Sequence, residues 1–133
     1  MKKLSLTASC LCGSIQLRTL GYHRDVENCH CIQCMKTHGH HAAYTNVQEQ
    51  NVKFLKKGTL KWFRSSKRAK RGFRRKCGAS LFFKFIGSNN VSIAAGMFNR
   101  PTKLKTKMNI FIKGKLDYYR LDNRLPKFKR YPK

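Results

Sequence analysis

Residues 14–20, Ser14-Ile15-Gln16-Leu17-Arg18-Thr19-Leu20, alternate apolar and polar, as a strand with one buried face does. Residues 42–45 and 52–55 are shorter strand candidates, and residues 59–64 form another after the turn at Lys57-Gly58. Residues 80–86 and 91–95, separated by Gly87-Ser88-Asn89-Asn90, read as a hairpin. A second hairpin is predicted from residues 109–112 and 115–119 around Gly114. Gly21 and Tyr22 read as a turn, residues 31–38 as one or two helical turns ending near Gly39, and the tail from Leu125 as irregular. No segment carries a helical period over a helix's usual length. The pattern predicts a mainly β chain with little helix.

At 133 residues the chain has the length of a single domain, read as residues 1–133, without internal repeat or linker. With 41% apolar residues it has material for a core and is not a disordered basic tail. Charge changes the picture. Thirty Lys and Arg face five Asp and Glu, a formal net charge of +25, and eight of the thirteen residues 64–76 are cationic. A field of that sign attracts nucleic acid, acidic lipid or a small anionic substrate, while a lysine-rich bias on a solvated surface explains the same number. Trp62 and the Phe82, Phe83, Phe85 stripe read as core rather than as a stacking platform for bases.

Six cysteines in a short chain admit a disulfide framework or a metal-binding one. The disulfide reading needs an oxidising compartment. The start, Met1 to Cys10, imitates a signal sequence, but its apolar stretch of residues 4–8 is shorter than the roughly seven to fifteen residues a signal core needs. No apolar run approaches the ~18 residues of a membrane span. The expectation is a cytoplasmic protein with reduced thiols and no membrane partner.

The thiols are grouped. Cys29-His30-Cys31-Ile32-Gln33-Cys34 places three within six residues; Cys10-Leu11-Cys12-Gly13 precedes it and Cys77-Gly78 follows. Thiolates at such spacing close on one tetrahedral zinc, and three of them leave a fourth position open, as catalytic zinc sites do. His30, between two candidate ligands, is expected to point away from a metal they share. His38, His40 and His41 are candidates for a ligand, a base or a supporting hydrogen bond, or are packing residues.

This ordered set, continued by Ala79-Ser80-Leu81-Phe82, Ala95-Gly96-Met97 and Asp122-Asn123-Arg124-Leu125-Pro126-Lys127-Phe128, resembles the glutathione-dependent formaldehyde-activating enzyme family and the related centromere protein V domain. The resemblance implies a fold of several coiled β-sheets (β-tent type) with two zinc sites. Carried over by residue, Cys10, Cys12 and Cys77 are structural ligands, and Cys29, Cys31 and Cys34 are catalytic ones. Three positions depart from the family pattern. Arg74 stands where the fourth structural cysteine belongs, and a guanidinium carries only donors and cannot ligate zinc. Another group completes that site, or it is weak or empty, and Cys77 is then a plain buried thiol. Asn109 stands where His is frequent, and Tyr118 where Trp is common.

Two functions follow as expectations. By resemblance, the chain is a zinc-dependent carbon–sulfur lyase joining a small aldehyde such as formaldehyde to the thiol of glutathione or a related thiol. The alternative is a zinc-stabilised basic module that binds nucleic acid or another polyanion without catalysis, through residues 64–76. No residue stands out as a general base.

Overall fold

The computed structural model describes residues 1–132. Ten strands form two sheets, with one short helix, so the chain is mainly β as its residue pattern predicts. The strands are β1 Lys2–Ser9, β2 Gln16–His23, β3 Val26–Cys29, β4 Ala42–Gln48, β5 Val52–Lys56, β6 Leu60–Arg64, β7 Ala69–Arg74, β8 Ser80–Phe85, β9 Asn90–Ala94 and β10 Thr106–Ile110; the helix α1 is Ile32–His38. The smaller sheet has the order β1-β2-β5 and the larger β10-β3-β4-β9-β8-β7-β6. All neighbours are antiparallel except β10 and β3. The core lies where the sheets meet, around Ile15, Leu17, Leu81 and Ile93, each almost inaccessible to solvent. No described helix is long and apolar enough to cross a membrane.

Residues 2–9 form β1, paired along its length with β2. Several expectations need correction. Gly21 and Tyr22 do not turn the chain: they pair with Leu4 and Lys3 inside β2, where Gly21 takes φ +86. A side chain at position 21 would also press on the Asn51 amide. The hairpin of residues 80–95 is present, whereas the one around Gly114 is not. β10 ends at Ile110, Phe111 enters the left-handed region at φ 55, and residues 112–114 make a 3-10 turn. The reason is partnership: β10 runs parallel to β3 and is joined on its free side by the tail. Asn109 donates its backbone N–H to Pro126 (2.9 Å) and accepts from Phe128 (3.0 Å).

The basic run hides β7, whose Ala69, Arg71 and Arg74 face inward. Of the aromatic stripe, Phe82 is core and Phe83 packs against it, but Phe85 is 44% exposed and Trp62 39% exposed. β6 is an edge strand, so Trp62 has Phe82 beneath its ring (5.9 Å, stacked) and no strand beyond it.

Candidate metal centre

β3 ends at Cys29, and the parallel β10 fixes that end, His30 donating its backbone N–H to Ile110 at 3.0 Å. The chain then turns directly into α1. Cys31 is the helix N-cap, its Sγ accepting the Cys34 N–H at 3.4 Å, and Gly39 closes the helix in a left-handed conformation. A strand end, a cap and the first helical turn therefore aim three thiols at one point. The sulfurs of Cys29, Cys31 and Cys34 all lie within 4.8 Å of one another. Tetrahedral Zn–S bonds of about 2.3 Å set sulfurs about 3.8 Å apart, and a trio within 4.8 Å is compatible with one such ion. Its donor set is soft and suits that ion.

The electrostatics of the trio are asymmetric. Cys31 is held well below the ordinary thiol range by hydrogen bonding from Cys29 and Cys34, with the Arg71 charge contributing. Cys29 is pushed far up by its sulfur neighbours and by burial. Arg71, reached from β7, is 6% exposed. Its Nη2 lies 3.6 Å from Cys34 Sγ and 3.5 Å from Gln33 Oε1, its Nη1 lies 3.5 Å from the Tyr44 hydroxyl, and its Nε has no partner among the described residues. Burial opposes the Arg71 charge, but its neighbours Cys34, Tyr44 and Cys31 more than offset it and raise its pKa. The guanidinium also stacks on Phe83 at 4.9 Å. Tyr44 shares a 2.7 Å bond with His38 Nε2. Burial, then Arg71, brings His38 down to about 4, so it is neutral at physiological pH.

The trio opens onto a cleft of about 840 Å³. Six cations line it, Arg24, Arg71, Lys84, Lys113, Lys129 and Arg130, against one carboxylate, Glu27. Glu27 is already paired with Arg24 at 3.3 Å. The tail contributes Lys129, Arg130 and Tyr131 to this wall because its backbone is bonded to residues 109–112.

The histidines behave differently from one another. His30 is 1% exposed, and its ring bonds to Asn109 Oδ1 (2.8 Å) and the Tyr119 hydroxyl (2.6 Å), away from the sulfurs, as expected from its position. Asn109 can only accept through Oδ1, so Nε2 carries the proton and Nδ1 accepts from Tyr119. Tyr118 bonds to His40, and His41 lies between the His30 and His40 rings with Nδ1 buried and unpartnered among the described residues. Burial, then the neighbouring histidines, lowers His41 to about 4. None of these imidazoles joins either metal-capable group.

The other sulfurs also converge: Cys10, Cys12 and Cys77 lie within 4.8 Å of one another. Arg74 is at this corner, 5% exposed, donating from Nε to Cys12 Sγ at 3.4 Å. Cys12 is exposed and brought down to about 6, first by hydrogen bonding from Ser14 and then by Arg74. Three sulfurs suit zinc here too, but the group nearest the fourth corner has only donors to offer. The structure brings the six thiols together as Cys10, Cys12 and Cys77 and as Cys29, Cys31 and Cys34. The sequence singles out Arg71 only as one cation of residues 64–76, and Tyr44 and the tail cations beside the cleft carry no motif.

The family model described as glutathione-dependent formaldehyde-activating enzyme matches residues 5–114. Among solved structures, the chain is similar to a Rhodobacter sphaeroides protein with a TM-score of 0.60 and 16% identity, covering 73% of this chain and 91% of that one. At that identity the likeness supports the fold alone. No curated protein matches the chain.

Proposed function

Because the chain belongs to the glutathione-dependent formaldehyde-activating enzyme family, we propose that it is a carbon–sulfur lyase that adds a small aldehyde to a glutathione-like thiol at Cys29, Cys31 and Cys34. The observation that carries this reading is the convergence of those three sulfurs in the wall of a cationic cleft. Zinc held by the three thiolates would supply an open coordination position that lowers the pKa of a substrate thiol. The reaction is an addition: the S–H bond breaks, an S–C bond forms at the carbonyl carbon, and the proton ends on the former carbonyl oxygen.

The protein's own part is binding and charge control. Lys113, Lys129 and Arg130 suit the two carboxylates of a glutathione-like tripeptide, and the apolar Phe83, Phe111 and Tyr131 of the same wall exclude water around the thiol. Arg71 places a fixed positive charge beside the sulfurs, where negative charge gathers as the thiol loses its proton. The test is the rate of exchange between formaldehyde plus glutathione and S-hydroxymethylglutathione, followed by exchange NMR against the uncatalysed rate. Zinc-loaded protein accelerates the exchange and Cys31→Ala does not. Wild-type protein with zinc bound and no acceleration would remove this reading.

A second reading is favoured by one surface. Trp62 and Phe54 are both partly exposed and flank Phe82 at 5.9 and 6.1 Å; Lys70 lies over the Trp62 ring and Lys57 over Phe54. Exposed rings among lysines suit stacking of unpaired bases. The expectation that Trp62 is core therefore gives way to a stacking role in this reading. Trp62 is the only tryptophan, so its fluorescence reports on that surface. Quenching by single-stranded oligonucleotide at physiological salt, absent with heparin, supports base stacking; equal binding of heparin reduces the surface to charge.

A further inference from the structure

The corner holding Cys10, Cys12 and Cys77 is built for a fourth ligand and carries a cation there instead. The chain between Arg74 and Gly78 is a tight turn: Gly78 donates its N–H to the Arg74 carbonyl at 2.8 Å and has φ +73. A turn of that form sets positions 74 and 77 at the x-x spacing from which two side chains grip one tetrahedral ion. Facing it, Gly13 donates its N–H to the Cys10 carbonyl at 3.1 Å with φ +76, closing the turn that presents Cys10 and Cys12. Two such turns face each other, and three of the four side chains they present are thiols.

The fourth is Arg74, which does not swing away into solvent. It is 5% exposed and bridges three segments. Nε donates to Cys12 Sγ at 3.4 Å, and Nη1 donates to the Thr59 carbonyl at 3.3 Å and to the Thr59 hydroxyl. The remaining sulfur contacts are also internal: Cys10 Sγ accepts the Ile15 N–H at 3.3 Å and lies 3.6 Å from Cys12 Sγ, which is 3.2 Å from Ser14 Oγ. A structural zinc joins distant segments by closing four ligands on one ion. Here the first thiol turn, the approach to β6 and the end of β7 are already joined, through a guanidinium.

We propose that this corner is a metal-free guanidinium–sulfur clasp, in which Arg74 does the joining that a structural zinc would do, and that Arg74 alone keeps it from being a closed four-thiolate site. The residues present therefore do not fit the structural zinc of the family, and the second thiol group is the chain's zinc-binding centre.

Zinc counted per chain by elemental analysis tests this on full-length wild type, Cys12→Ser, Arg74→Met and Arg74→Cys. Wild type, Cys12→Ser and Arg74→Met carry the same amount; Arg74→Met also melts at a lower temperature, because the clasp is lost. Arg74→Cys carries one zinc more, and its cobalt-substituted form shows the visible bands of a tetrahedral four-thiolate site. Loss of one zinc in Cys12→Ser or in Arg74→Met overturns the proposal, as does a folded Arg74→Cys with no added zinc. Should Arg74→Cys not fold, the counts in the other three decide. Counts are compared between variants, so the outcome is independent of the reaction assigned to Cys29, Cys31 and Cys34.

Discussion

Arg71 and Arg74 lie three residues apart in one strand, both buried, and each reaches a different thiol group. The Arg71 charge draws the pKa values of Cys31 and Cys34 downward. Removing it raises them, and zinc needs deprotonated thiols. Arg71→Met is therefore expected to move the pH midpoint of zinc loading upward and to weaken zinc binding by about 10- to 100-fold, the usual effect of losing a group that supports a ligand. A metal titration at several pH values measures both, and an unmoved midpoint would deny Arg71 that role. His41 gives a pH effect of opposite origin. Its folded pKa of about 4 lies below the ordinary 6.5, so the unfolded chain binds the extra proton first. Stability from this group is complete above about pH 6.5 and is lost as pH falls toward 4. His41→Asn should flatten the fall in melting temperature across that interval relative to wild type.

At the scale of elements, β7 passes close to both of its neighbours at Gly72. A Cβ on Gly72 would sit 2.9 Å from the Phe82 ring and 3.2 Å from Trp62, both neighbours across the sheet. Phe82 is 2% exposed and has no room to yield. Gly72→Ala is expected to cost about 1–3 kcal/mol, read as a lowered midpoint in urea at unchanged slope. The tail is the other decisive element. Its bonds to residues 109–112 bring Lys129, Arg130 and Tyr131 into the wall of the cleft that the sulfurs also line. Lys129→Ala combined with Arg130→Ala should raise KM for glutathione severalfold while leaving a neutral thiol such as 2-mercaptoethanol unaffected; equal loss for both thiols would exclude carboxylate recognition by the tail.

Across the whole molecule, charge is nearly unopposed. Between residues 50 and 116 there are nineteen Lys and Arg and no Asp or Glu. Four of the five acids are in ion pairs: Asp25 with Lys2, Glu27 with Arg24, Glu49 with Lys84, and Asp122 with Arg124. A net charge of +25 on a small fold repels itself, and the Debye length falls from ~30 Å at 0.01 M salt to ~3 Å at 1 M. Melting temperature should therefore rise with sodium chloride over that range. A flat response would show that the cations are already spaced to avoid one another.

What the sequence determined was local. Alternating residues marked β2 because side-chain direction in a strand has period two, and a turn between two apolar runs marked the β8–β9 hairpin. Thiol spacing marked Cys29, Cys31 and Cys34 because one ion spans only a few residues of chain; Cys77 joined Cys10 and Cys12 only through the family resemblance. The order of motifs sufficed for the family because it covers nearly the whole chain. What only the tertiary structure decided was non-local. The parallel pairing of β10 with β3, and the tail beside it, removed a hairpin that residues 109–119 suggest. Burial separated Arg71 and Arg74 from six neighbouring cations, three of them also arginines, since no local pattern says which Arg faces a sulfur. The edge position of β6 left Trp62 exposed. Each depends on what lies across a sheet, often dozens of residues away, and composition and spacing do not carry that information.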